Sequence, residues 1–140
     1  MPTRRALIRS IPSSPHYGWL EFAPSARRGY ACTATLAIDA DEWGIELDMI
    51  NPYRHFMAEF FEELARCSDG WSGTKSWHSE FQQMEVDAAY DGEVGVRFDV
   101  WMCWPPERVE ERSGSVVVSA DDLPRFARDV RAVLRLDRHR

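Results

Sequence analysis

Membrane-spanning and secretory segments are missing from this sequence of 140 residues. No apolar run approaches the roughly 18 residues that a transmembrane helix needs. The paired arginines Arg4 and Arg5 are not followed by an apolar stretch of signal-peptide length before Ser13-Ser14-Pro15. We therefore expect a cytoplasmic protein that does not contact a membrane.

Cysteine is also scarce. The chain has three cysteines, an odd number, and no CxxC pair: Cys32, Cys67 and Cys103. The sequence therefore indicates neither a disulfide framework nor a zinc ribbon. We expect each to be a small buried apolar residue. His78-Ser79-Glu80 is similar to the HxE element of zinc deaminases, but the PCxxC element that completes such a site is absent. The sequence predicts no metal ligands.

Motifs for common enzyme chemistry are absent as well. The chain has no GxSxG elbow, no glycine-rich phosphate loop and no HExxH pair. Carboxylates are plentiful, but a general acid and base are defined by geometry that a strand pattern does not reveal. We predict no catalytic residue and no cofactor, and we favour a protein that is not an enzyme while leaving that question open.

What the chain contains is typical of one folded domain. Hydrophobic residues make up 44%, charged residues 29% and aromatic residues 12% of it. A length of 140 residues fits a single domain, 1–140. The first 15 residues, rich in proline and serine, are expected to be an irregular or flexible lead. Residues 16–136 are expected to form the folded core.

Charge is unevenly distributed within the net value of −6. Residues 39–111 hold 18 acids and five bases, giving −13, whereas residues 1–38 carry +4 and residues 112–140 carry +3. Such an acidic middle repels nucleic acid and favours basic partners, although an acidic surface also keeps a protein in solution. The arginines near the C-terminus alternate with aspartates, so we predict no nucleic-acid partner.

Alternation of apolar and polar residues predicts the strands. A short first strand is expected over Tyr17–Phe22, followed by a hairpin of Tyr30–Asp39 and Trp43–Met49. A second hairpin is expected from Met84–Tyr90 and 94–102, joined at Asp91-Gly92. One more strand is expected around Ser113–Val118.

Helical spacing predicts two helices. The first starts at Asn51, as an N-cap, with Pro52, and closes at Gly70 in a left-handed conformation. Its apolar positions are Phe56, Met57, Phe60, Phe61, Leu64 and Cys67. The second starts at an Asp121 cap. Its apolar positions are Leu123, Phe126, Val130, Val133 and Leu134.

An offset of 70 residues superimposes the second half of the chain on the first, matching Gly44 with Gly114 and Leu64 with Leu134. This match suggests two similar β-β-(β)-α halves. The fold class that we predict is α+β: a two-layer sandwich of one antiparallel sheet of five or six strands, with both helices on one face.

The segment Gly70–Glu80 carries two tryptophans among turn formers and small polar residues. Burying one indole is worth about 4–6 kcal/mol, so we expect this connector to be fixed rather than loose. One interpretation is that both rings pack over the sheet edge or the helix ends. The other is that Trp71, Lys75 and Trp77 form a binding site, with Lys75 holding an anion or carboxylate.

The helix-free face of the predicted sheet is expected to be open, acidic and polar. Strand alternation assigns to it Thr33, Thr35, Glu46, Asp48, Glu85, Asp87, Arg97, Asp99 and Trp101. An exposed tryptophan among carboxylates makes this face a candidate docking surface.

Two stretches resemble a known group of proteins: Phe60-Phe61-Glu62-Glu63-Leu64-Ala65 and the GWxGxKxW element of Gly70–Trp77. With the strand pair and closing helix after them, they resemble an uncharacterised bacterial family, one of the numbered domain-of-unknown-function families of short α+β proteins. The resemblance spans about residues 30–136. It supports the fold and implies no activity, cofactor or catalytic residue.

Two functions follow from these features. The first is a protein-binding module similar to immunity proteins, which neutralises a basic protein partner through its acidic face. The alternative is a small-molecule-binding protein or small enzyme with its site at Trp71, Lys75 and Trp77. The sequence leaves the partner's identity and the oligomeric state open.

Overall fold

A computed structural model describes residues 4–26, 29–91, 95–103 and 110–136. The chain forms eight strands and two α-helices in these ranges. The elements are β1 Ala6–Arg9, β2 Gly18–Ala23, β3 Cys32–Ile38, β4 Asp41–Leu47, α1 Asn51–Arg66, β5 Thr74–His78, β6 Met84–Tyr90, β7 Val96–Cys103, β8 Glu111–Val118, a 3₁₀ turn Ala120–Asp122 and α2 Leu123–Val133. Each half of the chain therefore runs through four strands and ends in a helix. The second predicted hairpin is present, but its proposed turn at Gly92 and its residue Val94 lie outside the described ranges.

The strands form two four-stranded antiparallel sheets, so the prediction of one sheet with five or six strands is wrong. The N-terminal sheet has the order β1-β2-β3-β4, and the C-terminal sheet has the order β5-β6-β7-β8. Within the described ranges, the two sheets are joined by one bridge, between Ser10, which follows β1, and Val118 of β8, supported by a hydrogen bond from Ile11 N–H to Val117 O. The sheets touch at this corner without forming a continuous ladder.

Two strands, β1 and β5, have no counterpart in the sequence analysis. The strand β1 lies in the segment that we expected to be an irregular lead, and its four residues are too few to show a pattern. The strand β5 buries only Trp77, so its sequence TKSWH shows no apolar alternation. Residues 74–78 are thus an edge strand paired with β6 rather than a connector.

One hydrophobic core joins both sheets and both helices. Phe61 of α1 lies at its centre, with ring centroids 5.7 Å from Phe22 of the N-terminal sheet, 6.2 Å from Phe98 of the C-terminal sheet and 5.2 Å from Phe126 of α2. Aromatic pairs at this separation add stabilisation beyond the apolar area that they bury. The two sheets consequently share one interior.

Two glycines allow the inner faces of the sheets to approach closely. A Cβ atom on Gly18 of β2 would lie 2.2 Å from Ala37 O and 2.9 Å from Val116 Cγ1. A Cβ atom on Gly114 of β8 would lie 3.0 Å from Ile38 Cγ1. Any larger residue at Gly18 would therefore force the backbone apart.

The first helix differs from its prediction at both ends. It begins at Asn51, but Ile50 is its N-cap, and the N–H of Ile50 donates to Glu80 Oε1 at 2.9 Å. It ends at Arg66, before Gly70, which does adopt a positive φ of 123°. Phe56, expected in the apolar stripe, is 53% exposed.

The second helix matches its expected apolar positions. Leu123, Phe126, Val130, Val133 and Leu134 are all buried. The predicted cap at Asp121 is wrong, because Asp121 lies in the 3₁₀ turn, where its N–H donates to Ser119 Oγ at 3.2 Å.

Of the three cysteines, only Cys32 is fully buried; Cys67 and Cys103 are half-buried. Burial raises the pKa of the Cys32 thiol to about 12, which keeps it in the neutral form. Neither helix of the described chain is long and apolar enough to cross a bilayer.

Candidate functional site

The outer face of the C-terminal sheet collects acidic side chains around one tryptophan. Antiparallel pairing places Glu85 of β6 opposite Trp101 of β7, and Asp87 of β6 opposite Asp99 of β7. Because successive side chains of a strand alternate between faces, all four lie on the side away from the core. We call Glu85, Asp87, Asp99 and Trp101 the acidic face.

Asp99 and Trp101 are held in place by neighbours on the same sheet. Asp99 accepts from Ser115 Oγ at 2.5 Å and from Arg97 Nε at 3.2 Å. The indole N–H of Trp101 donates to a carboxylate oxygen of Glu111. These contacts orient the indole and balance the charge of Asp99 with Arg97.

Asp87 and Glu85 lack such compensation. Among the described residues, the Oδ1 atom of Asp87 is buried and has no hydrogen-bond partner. Burial of the Glu85 carboxyl group, then its hydrogen bonding to Asp87 and the charge of Asp87, raise the pKa of Glu85 above its usual range. The two carboxyl groups repel each other, so this pair would gain from a cation placed beside it on the sheet surface.

Two shallow grooves lie on the acidic face, one on either side of Trp101. One, of about 310 Å³, is lined by Glu85, Asp87, Asp99, Trp101 and the serines of β8. The other, of about 360 Å³, is lined by His78, Gln82, Glu85 and Trp101. Small side chains beside the carboxylates leave room for a long side chain from a partner.

Of the remaining residues predicted for this surface, Arg97 lies on the acidic face beside Asp99. The residues Thr33, Thr35 and Glu46 lie on the N-terminal sheet, because the prediction of a single open sheet was wrong. Glu46 lies on the N-terminal sheet, where it accepts hydrogen bonds from Thr33 Oγ1 at 3.0 Å and from Ser25 Oγ. Asp48 follows the end of β4, and its N–H donates to Gln83 Oε1 at 3.4 Å. Asp48 is therefore near the margin of the acidic face, whereas Glu46 is on another sheet.

The tryptophan segment makes internal contacts. Trp77 is 7% exposed and stacks on Phe60 with ring centroids 6.5 Å apart. Lys75 Nζ donates to Glu63 Oε2 at 2.8 Å, and this hydrogen bond raises the pKa of Lys75. Trp71 Nε1 donates to the backbone oxygen of Ala88 at 3.2 Å. Ligand binding by these three side chains stays a prediction.

Sequence reasoning missed Glu111 and Ser115, which complete the hydrogen bonding of the acidic face. Only Val116 and Val118 are buried in β8, and Gly114 interrupts the alternation before them. Only the pairing register of β8 with β7 shows that Ser115 lies opposite Asp99, and the sequence pattern does not contain this register. In the described ranges, no group of three or more histidine, cysteine and acidic side chains could hold a metal ion.

Comparisons with known proteins give a family but no activity. Residues 13–137 match the family model DUF6228, which is described as a family of unknown function. No curated protein matches the chain. The match confirms the expected resemblance to a numbered family of unknown function.

Proposed function

We propose that this chain, which belongs to the DUF6228 family of unknown function, is a protein-binding module of the immunity-protein type. Its acidic face would bind and neutralise a basic protein partner. The observation that carries the proposal is the Asp87 and Glu85 pair, two neighbouring carboxyl groups on the outer face of the C-terminal sheet. Neither forms a salt bridge with a described residue: Arg97 pairs with Asp99, and His78 beside Glu85 only partly offsets the raised pKa of Glu85.

An arginine or lysine of a partner would supply what this pair lacks. Hydrogen bonds to charged groups contribute about 1.5–3 kcal/mol each, more than neutral ones. The basic group would offset the repulsion between the two carboxyl groups, which adds to burial and to the hydrogen bond with Asp87 in raising the pKa of Glu85. This effect favours a bound cation over water.

Trp101 offers the apolar anchor that protein interfaces commonly contain. Its indole is half-buried and fixed by Glu111, so it loses little conformational freedom on binding. Small serines, Ser113 and Ser115, adjoin it and let a partner backbone come close. A central aromatic ring with charged groups around it is typical of an energetic hot spot.

Neutralisation is the role that suits such a surface. A basic protein that acts on phosphate-bearing substrates needs its cationic site free, and a complementary acidic face competes for that site. The small-molecule or enzyme alternative at Trp71, Lys75 and Trp77 has less support, because the indole N–H of Trp71 and the ammonium group of Lys75 already have internal partners.

A capture experiment with matched variants tests the proposal. The wild-type chain, immobilised at low ionic strength, should retain a basic protein from the source cell, and salt should release it. The variant Glu85→Gln/Asp87→Asn/Asp99→Asn should bind that purified protein roughly 100-fold more weakly or worse.

The control carries the same charge change elsewhere: Asp41→Asn/Glu42→Gln/Asp121→Asn, three exposed positions. It should bind as the wild type does. Equal weakening in both variants would mean that only net charge matters. Retention of no basic protein by the wild type would contradict the proposal outright.

A further inference from the structure

The free edge of the C-terminal sheet, β5, has unused backbone hydrogen-bonding groups. Ser79 N–H donates to Met84 O at 2.9 Å, which fixes the hydrogen-bonding phase of the strand pair. Trp77 and Lys75, two and four residues before Ser79, therefore direct their backbone groups toward β6. In an antiparallel ladder, the alternate residues then point their N–H and C=O groups away from the neighbouring strand. These residues are Thr74, Ser76 and His78.

No structural device closes this edge in the described chain. No backbone hydrogen bond from another segment reaches Ser76 among the described residues. The strand contains no proline and no bulge, the usual protections of an edge. Its one lysine, Lys75, is held by Glu63 of α1 instead of projecting over the edge.

A groove of about 580 Å³ runs between α1 and β5 on the inner side of this edge. Phe56, Phe60, Trp77 and Ser76 line part of it, and five charged side chains line the rest: Glu59, Glu62, Glu63, Arg66 and Arg131. Phe56 is 53% exposed there, against the expectation that it belongs to the core. An apolar side chain of an added strand would contact the exposed ring of Phe56 in this groove, since Phe60 and Trp77 are themselves buried.

The outer side of the same edge adjoins the acidic face. Ser76 pairs with Asp87, and His78 pairs with Glu85. Strands lie about 4.8 Å apart, so an added strand would run roughly 10 Å from the backbone of Asp87. The small Ser76 leaves this path open, and an extended arginine or lysine side chain could cross it to the acidic face at Asp87 and Glu85.

We infer that β5 accepts a ninth strand: an extended basic segment of the partner pairs with Thr74–His78. Its basic side chains lie over the acidic face, and its apolar side chains enter the groove between α1 and β5. This inference rests on the proposed function and names the chemistry of the partner. It requires a segment in which basic and apolar residues alternate, since successive side chains of a strand face opposite sides.

Charge selects this occupant over a second copy of the chain. Pairing β5 with another β5 would join two acidic faces on molecules that each carry a net charge of −6. A basic strand instead brings opposite charge to Asp87 and Glu85. Self-association through β5 is thus an outcome that the test must detect.

The variant Ser76→Pro removes the central edge N–H. That N–H points away from β6, so the substitution deletes no internal ladder bond and should leave the chain folded. The control Ser76→Ala removes the hydroxyl group but keeps the N–H. With the basic protein captured by the wild-type chain, Ser76→Pro should weaken binding about tenfold or more, and Ser76→Ala should match the wild type.

Failure of the inference and failure of the proposed function give different results. If Ser76→Pro binds normally while the acidic-face variant does not, strand addition is wrong and the proposed function stands. If neither variant changes binding, the proposed function fails as well. A wild-type dimer that Ser76→Pro converts to a monomer, seen by light scattering without partner, would assign the edge to a second copy and overturn the inference.

Hydrogen exchange gives a second readout should Ser76→Pro fail to fold. In the wild-type complex, the amides of Thr74, Ser76 and His78 should become protected because they donate to the added strand. Unchanged exchange at all three amides, measured with the partner at saturation, would overturn strand addition.

Discussion

Replacing Phe61 by alanine should cost more stability than any other single truncation in α1, because this ring contacts both sheets and both helices. Its centroid lies within 6.4 Å of five other aromatic rings, those of Phe22, Phe60, Trp77, Phe98 and Phe126. Phenylalanine-to-alanine changes in cores cost about 3–5 kcal/mol, and aromatic pairs add roughly 0.5–1.5 kcal/mol each. We expect a loss near the upper end, about 4–5 kcal/mol.

That loss is a large share of the stability of such a chain, since domains unfold with about 5–15 kcal/mol. Urea unfolding followed by far-UV circular dichroism and by tryptophan fluorescence measures it. At a slope of about 2 kcal/mol per M, the midpoint should fall by roughly 2 M. Both signals should change in one transition, because the halves share a core.

Phe56→Ala, on the same helix, is the matched control. Its side chain is 53% exposed, and we expect a loss of less than about 1 kcal/mol. Equal losses at the two positions, or two separate unfolding transitions in the wild type, would refute a single core centred on Phe61.

Three further predictions concern titratable groups. Hydrogen bonding to Arg131 lowers the pKa of Glu62, so this pair stabilises the fold above the usual glutamate pKa and its effect is lost as pH falls through the folded value. Glu62→Gln should therefore cost about 0.5–1 kcal/mol in urea unfolding at neutral pH and little in strong acid; a pH-independent cost would contradict this account. The raised pKa of Glu85 has the opposite sign: stability falls as pH rises through the folded value, so Glu85→Gln should be at least as stable as the wild type at neutral pH. A clear loss in the thermal midpoint at that pH would argue against it. Cys32, buried and with a pKa of about 12, should resist alkylation in the native state, and mass spectrometry showing it modified as fast as the half-buried cysteines would count against its placement.

Local patterns were sufficient to predict most strands and the apolar face of α2. Alternation marks β3 and β6, and helical spacing marks the five buried positions from Leu123 to Leu134. Alternation could not reveal β5, because the position of this strand depends on pairing with β6 rather than on its own apolar residues.

The division into two sheets is a long-range property that no local pattern contains. The two sheets meet at the bridge between Ser10 and Val118, and their division places Glu46 on a different sheet from Glu85 and Asp87. Alternation still assigned Glu85, Asp87, Asp99 and Trp101 to one face, because these four lie on adjacent strands of a hairpin. Phe56 fits the helical period yet lies beside a groove, since the open edge of β5 leaves that side of α1 uncovered.

Hydrogen exchange over the whole chain, with and without the captured basic protein, is the most direct test of the acidic face as its binding surface. Binding should slow exchange in β5, β6 and β7, around Ser76, Asp87 and Trp101, and leave β2 and β3 unchanged. Protection confined to the N-terminal sheet would contradict the account.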